Sequence, residues 1–218
     1  LAFGEYVEPQ YAIEKADVIL SLDSDFMCAG PAGVRHSRAF ASRRRAETGT
    51  ARNRLYAVES TPTNTGTRAD HRLPLKPSEI DGFARALAAQ LGVEGVTAGT
   101  VSDAARKWLG PLAKDLQGAR GRGVVIVGEG QPAAVHAIGH AINAALGNVG
   151  ETVTYTQTPE AAPSDQRAGL RELVGEMNAG KVDFLLVLGG NPVYTAPSDL
   201  QFGAALQDRK STRLNSSH

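Results

Sequence analysis

The sequence predicts an α/β protein of two lobes with mostly parallel sheets, and three observations predict it. First, two stretches 166 residues apart align without a gap: Asp17-Val18-Ile19-Leu20-Ser21-Leu22-Asp23-Ser24-Asp25-Phe26 and Asp183-Phe184-Leu185-Leu186-Val187-Leu188-Gly189-Gly190-Asn191-Pro192. Each is an acidic residue, a mostly apolar run and a tight polar turn, which suits a strand buried on both faces. Second, such runs alternate with helix-period segments, the pattern of parallel strands joined by right-handed crossovers. Third, a Gly-rich stretch of small residues at 93–100 separates the halves, so lobes are expected at 1–100 and 101–207.

In order, residues 11–16 form a short helical approach to a strand at 17–22. Residues 33–45 read as a helix, apolar at Val34 and Phe40 and basic at Arg43, Arg44 and Arg45; a solvated helix C-terminus favoured by the macrodipole is expected there, with phosphate binding the alternative. A loop at 47–53 leads to a strand at 54–59, then a Thr/Asn/Pro/Gly-rich loop at 60–67 and an extended piece at 71–75. Ser78 is expected to cap a helix that ends at Leu91 and stops at Gly92, with Ile80, Phe83, Ala84, Leu87 and Leu91 on one face. Ser102 caps a second long helix carrying Trp108, Leu109, Leu112 and Leu116, with a kink expected at Pro111. A strand at 124–127, the loop Gly128-Glu129-Gly130-Gln131 and a helix from Pro132 to Leu146 follow. Residues 152–156 are extended, 158–164 a loop and 170–178 a helix; the repeat strand at 183–188, a loop at 191–197 and a helix opened by Ser198 complete the chain.

The chain reads as a piece of a longer one. It opens at Leu1 without Met, and residues 208–218 match the translation of a sequencing adapter, so this tail is set aside as non-native. Without it Lys+Arg is 20 and Asp+Glu is 22, a balance that points to neither nucleic acid nor an anionic membrane. The 42% hydrophobic and 21% charged content fits a globular protein. No apolar run approaches the roughly 18 residues of a membrane span. Cys28 is the one cysteine, which excludes an intramolecular disulfide and a four-cysteine iron–sulfur cluster within these residues; a small buried side chain is expected, with a reactive thiol or metal ligand the alternatives.

No catalytic residues are identified: no Ser/His/Asp set has supporting spacing. His136 and His140 share a helix face, but no third ligand accompanies them, so no metal site is assigned. Gly128-x-Gly130 follows a strand as a phosphate loop does, without the third glycine of a dinucleotide fingerprint. The candidate binding loop is Gly189, Gly190, Asn191 and Pro192, where the glycines admit a close backbone approach. Its counterpart at Asp23, Asp25 and Phe26 is acidic and bulky.

Read together, these loops resemble the molybdopterin oxidoreductase superfamily. Leu188-Gly189-Gly190-Asn191-Pro192 is similar to its Leu-Gly-x-Asn-Pro loop. The block from Val58 to Thr65 followed by Ala69-Asp70-His71-Arg72-Leu73-Pro74-Leu75-Lys76-Pro77, and the helix end Ala141-Ile142-Asn143-Ala144-Ala145-Leu146-Gly147-Asn148-Val149-Gly150, resemble two further motifs in the same order. The resemblance spans nearly all of 16–207 and implies two Rossmann-like lobes, a fragment of a larger molybdopterin-oxidoreductase-like fold. Three positions depart from that pattern: Asp23-Ser24-Asp25-Phe26 replaces Gly-x-Asn-Pro, Glu59-Ser60-Thr61 replaces Asp-Pro-Arg, and Ile80 replaces the acid expected to bind a guanine. The altered pattern looks closest to the large iron–sulfur, molybdopterin-oxidoreductase-like subunit of alternative complex III.

That branch implies a non-catalytic scaffold region of an electron-transfer subunit in a respiratory quinol:electron-acceptor oxidoreductase. No cofactor is then expected in these residues, Gly189, Gly190, Asn191 and Pro192 being a vestigial loop, and iron–sulfur clusters are expected downstream. Cytochrome c and quinol-binding subunits of a membrane-bound complex are the implied partners, with no nucleic acid and no direct membrane span. The implied location is periplasmic, on the outer face of the cytoplasmic membrane, reached by a twin-arginine signal. The alternative is the cofactor-binding region of a working molybdenum bis(pterin guanine dinucleotide) oxidoreductase.

Overall fold

The computed structural model describes residues 3–45 and 52–207. The tail at 208–218 lies outside the described residues, as does most of the loop expected at 47–53. The chain forms two compact units, Leu1–Thr158 and Pro159–His218.

In the first unit the apolar runs become the strands β2 (Val18–Leu22), β3 (Arg54–Glu59) and β5 (Gly123–Val127), joined by β4 (His71–Pro74). They form one parallel sheet in the order β4-β3-β2-β5, so the predicted α/β class with a parallel sheet is what forms. The alternation along each strand sorts side chains to two faces. Val18, Leu20, Leu22, Tyr56, Val58 and Val125 share one core with Ile80, Phe83 and Leu87 of α3 (Pro77–Gln90), Leu109 and Leu112 of α4 (Asp103–Gly118) and Ile138 and Ile142 of α5 (Ala133–Ala145). On the other face Ile19, Leu55, Val124 and Ile126 pack with Phe40 of α1 (Gly33–Ser42) and with Ile13, Phe26 and Met27. Outside them lies an antiparallel ribbon of β1 (Val7–Tyr11) and β6 (Val153–Gln157).

The outer edge of β5 is closed by side chains. Asn143 of α5 accepts from Val125 N–H at 2.9 Å and donates to Val125 C=O at 2.8 Å, taking both groups that a neighbouring strand would pair. Asn148 accepts from Gly123 N–H at 3.3 Å, and the Thr152 hydroxyl donates to Gly123 C=O. A covered edge of this kind recruits no further strand.

Several elements differ from expectation. The stretch at 93–100 does not divide the chain into lobes: β5 lies beside β2, and Gly99 packs so tightly on α3 that a Cβ there would sit 2.3 Å from Gly82 C=O. Gly99 there serves close packing, and the units divide at Thr158 instead. Within the loop expected at 60–67, a short helix forms instead, α2 (Asn64–Arg68), capped by the Thr63 hydroxyl accepting from Gly66 N–H at 3.0 Å. Helix α3 starts one residue before Ser78, and the Glu79 carboxylate accepts from Lys76 N–H at 3.1 Å in place of a serine cap. Helix α4 is capped by Ser102 as expected and continues through Pro111.

The second unit holds α6 (Gln166–Asn178), α7 (Pro192–Thr195) and α8 (Phe202–Gln207) around a small core of Val174, Met177, Phe202 and Ala205. The repeat strand expected at 183–188 is not a strand here. No strand lies beside it among the described residues of this unit, and Phe184, Leu186 and Leu188 are exposed; only Leu185 packs partly on the small core. Without a sheet to join, the apolar run has no ladder and no second face to fill.

Candidate functional site

Ligands of open α/β sheets bind outside the carboxyl ends of the strands, where the strand order reverses. That point lies between β2 and β5, because the chain steps from β2 to β3 on one side and returns to β5 on the other. Here it is occupied by the protein's own groups. Gly128 N–H donates to Leu22 C=O at 2.9 Å, and a Cβ on Gly128 would stand 1.9 Å from Asp23 C=O. The loops after β2 and β5 are thus in backbone contact. Asp23 itself sits at φ 54°, a left-handed conformation that non-glycine residues seldom adopt.

The Asp23 carboxylate ties three strand ends together. One oxygen accepts from Ser60 N–H at 2.8 Å and from the Ser60 hydroxyl at 2.9 Å, and the other accepts from the Gln131 amide at 2.8 Å. Asp25 performs the same service for α2, accepting from Thr65 N–H at 2.9 Å and the Thr65 hydroxyl at 2.8 Å. Glu59 is buried, pairs with Arg72 and accepts from the Thr63 hydroxyl at 2.7 Å. A Cβ on Gly66 would fall 1.9 Å from its carboxylate, so a larger residue there would have to displace the Glu59 side chain from its partners. The acids at 23, 25 and 59 therefore hold these loops to one another. Phe26 is buried in the core behind them, and Ile80 lies wholly inside the core of α3.

The loop Gly128-Glu129-Gly130-Gln131 turns into α5 with its first amide taken by Leu22, and Gln131 N–H donates back to Gly128 C=O at 3.0 Å. It brings the Glu129 carboxylate close to Gly30. His136 and His140 do not converge with other ligands: His140 Nδ1 pairs with the Tyr155 hydroxyl at 2.9 Å, and no group of three or more His, Cys, Asp or Glu suited to a metal occurs among the described residues. Burial lowers the pKa of both rings, and the charge of His136 lowers that of His140 further. Cys28 is exposed, against the expectation of a small buried residue, because the turn after Asp25 carries it outward.

Gly189, Gly190, Asn191 and Pro192 stand in the second unit. Gly189 has φ 68°, Asn191 C=O accepts from Tyr194 and Thr195 N–H at 3.0 Å each, and Pro192 opens α7. Arg43 and Arg44, expected as a solvated helix end, are instead ion-paired, Arg43 with Asp17 at 2.6 Å and Arg44 with Asp70. The sequence reading missed Ser60, Thr65, Arg72 and Gln131, each of which acts through a partner distant in the chain. It also missed His36, whose Nδ1 meets Phe26 C=O at 3.1 Å while its buried Nε2 has no partner among the described residues. Burial, reinforced by the charge of Arg35, lowers the pKa of that ring.

No family model matches the chain. It is 29% identical, over 238 aligned positions, to the menaquinone reductase molybdopterin-binding-like subunit of Nitratidesulfovibrio vulgaris. The match covers 91% of this chain and 33% of that protein, so the chain spans about a third of the length of the curated relative it matches. No helix of the described residues is long and apolar enough to cross a membrane.

Proposed function

We propose that this chain is a non-catalytic scaffold region of a subunit in a quinone-linked oxidoreductase complex, and that it holds no pterin. One observation carries the reading: the crevice between the carboxyl ends of β2 and β5 is filled by the Asp23 carboxylate and its Ser60 and Gln131 partners, with Gly128 against the Asp23 carbonyl. The residues present do not fit a pyrophosphate there. It would meet Asp23 and Glu129 with no arginine or lysine in the Gly128-to-Gln131 loop to balance them, and Gly128 N–H is already bound. A guanine would find Ile80 inside the core in place of an acceptor.

The relative described as a molybdopterin-binding-like subunit of a menaquinone reductase supports a quinone-linked setting and partner subunits. The blocks Glu59-Ser60-Thr61-Pro62-Thr63-Asn64-Thr65-Gly66 and Gly189-Gly190-Asn191-Pro192-Val193-Tyr194-Thr195-Ala196-Pro197 support the finer reading of an alternative-complex-III-type quinol oxidoreductase. On that reading cytochrome c and quinol-binding subunits are partners, iron–sulfur clusters lie downstream, and the assembly sits on the periplasmic face. The competing reading, a working molybdenum enzyme, draws on the open Gly189-Gly190 turn alone. Metal analysis of the purified parent complex decides between them. Iron without molybdenum or tungsten is expected; either metal near one atom per subunit, with extractable guanine dinucleotide, would restore the enzyme.

A further inference from the structure

The amino-terminal edge of the parallel sheet is rich in arginine, where the loops at the opposite edge carry the acids Asp23, Asp25, Glu59 and Glu129. Parallel register sets Asp17, Arg54 and Arg122 side by side where β2, β3 and β5 begin, with Asp70 just before β4. Crossover helices return to this edge, so the end of α1 delivers Arg43 and Arg44, and the end of α4 delivers Asp115 and, just beyond it, Arg120. Asp17 takes Arg43 and Arg122 at 2.6 Å each, Asp70 takes Arg44 and, at 3.2 Å, Arg52, and Asp115 takes Arg54 and the Tyr56 hydroxyl. Arg120 donates to Ala145 C=O at the end of α5, at 2.6 Å.

Depth divides the arginines into two sets. Arg43 and Arg44 are 15% and 16% exposed and lie deeper than Asp17, Asp70 and Asp115, at 32%, 23% and 25%, whereas Arg52, Arg54 and Arg122 are 66%, 51% and 60% exposed. An approaching surface meets the guanidinium groups of Arg52, Arg54 and Arg122 first, with the carboxylates recessed behind and fixing their orientation. Six arginines against three aspartates is a local excess on a chain whose formal net charge is zero. We propose that this arginine edge docks an acidic face of a partner polypeptide, whose Asp and Glu side chains take Arg52, Arg54 and Arg122.

A duplex nucleic acid fits less well. It presents a charge roughly every 1.7 Å and would have to lie over the three interleaved aspartates. An anionic membrane fits less well too, since interfacial binding asks for apolar anchors beside the cations. Of the large apolar side chains exposed in this unit, Phe3, Tyr6, Val34 and Val149, only Val149 belongs to a segment that reaches this edge. The existence of a partner rests on the subunit reading above.

The test uses the intact parent subunit, tagged in its native host, as wild type and as an Arg52→Gln/Arg54→Gln/Arg122→Gln variant. The variant removes charge without reversing it, and its thermal midpoint is checked against wild type. Size-exclusion chromatography with mass spectrometry follows the named partner subunits across a salt series. The expected result is association that weakens with salt in wild type and is at least about tenfold weaker in the variant. Salt-insensitive association, or a folded variant that associates as wild type does, would overturn the proposal. If wild type runs without partners, the subunit reading fails by itself, and titration with a labelled glutamate-rich peptide then decides the edge: binding lost in the variant upholds it, and no binding refutes it. Tighter binding to phosphatidylglycerol vesicles or duplex DNA than to that peptide would overturn it as well. Should the variant unfold, the wild-type salt series alone decides, on the same criterion.

Discussion

Asp23 and Gln131 are 108 residues apart in the chain, yet the Gln131 amide donates to the Asp23 carboxylate at 2.8 Å across the boundary between β2 and β5. The bond stands where an open α/β sheet would take a ligand. It converts a pair of strand ends into a closed seam, continued by Ser60 on one side and by the Gly128 backbone on the other.

Asp23→Ala should loosen that seam. Three donors, Ser60 N–H, the Ser60 hydroxyl and the Gln131 amide, would lose their acceptor in a partly buried place. A cost of about 1–3 kcal/mol is expected. Trp108, the one tryptophan, belongs to the first unit, so its fluorescence in a urea titration follows that unit alone. An unchanged midpoint would show that the seam contributes nothing.

Gly128 and Gly130 form a matched pair for testing whether the crevice is closed. A Cβ on Gly128 would meet Asp23 C=O at 1.9 Å, a backbone atom that cannot swing aside, while one on Gly130 meets nothing within 4 Å. Gly128→Ala is expected to cost at least about 1–3 kcal/mol through overpacking, and Gly130→Ala to stay within about 0.5 kcal/mol of wild type. Equal stability of the two variants in the same urea titration would mean that the loops stand apart.

The contrast between the two copies of the repeat shows what a sequence can carry. Residues 17–22 were legible because an apolar run flanked by turn residues states that both faces want burial, and β3 and β5 supply the neighbours. The run at 183–188 states the same want, but a want does not reveal whether a partner strand exists. β1 was illegible for the opposite reason: Val7-Glu8-Pro9-Gln10-Tyr11 has a proline and a polar bias, and it is a strand only because β6 pairs with it. In the site, the acids at 23, 25 and 59 were visible as departures from a ligand loop. Their partners were not, because Ser60, Thr65, Arg72 and Gln131 carry no local pattern that marks them as acceptors' neighbours.

Acid should weaken the fold in two steps. Burial lowers the pKa of His36, His136 and His140 in the folded state, below an unfolded value of about 6.5. In the window between those values the unfolded chain binds more protons, so stability rises with pH across it. The contribution is complete above about pH 6.5 and is lost as the pH falls below that value. Asp17, Asp70 and Asp115 belong to a second, lower window. Burial alone would raise their pKa values, but hydrogen bonds from Arg43 and Arg122, from Arg44, and from Tyr56 and Arg54 respectively outweigh it and leave them lowered. Their contribution is present above the unfolded value of about 3.9 and is lost below it. Urea midpoints followed through Trp108 should therefore fall between about pH 7.5 and about pH 5.5, and His36→Phe should flatten that first slope. A midpoint that holds or rises over the first window would contradict the buried neutral rings.

Leu20→Ala and Leu186→Ala occupy equivalent places in the sequence repeat and should behave as opposites. Leu20 is fully buried in the centre of the parallel sheet, where β3 and β5 flank it and α3 covers it. Removing its side chain leaves a cavity that close-packed neighbours cannot fill, at about 2–5 kcal/mol. Leu186 is 64% exposed and has no strand beside it among the described residues of its unit, so truncation removes little buried surface and should cost less than about 0.5 kcal/mol. The two substitutions lie in different units, so each is read on its own unit's transition: Leu20→Ala by Trp108 fluorescence and Leu186→Ala by hydrogen exchange of the α6 amides. If Leu186→Ala instead costs as much as Leu20→Ala, the run at 183–188 is held in a sheet after all, and the second copy of the repeat is a strand like the first.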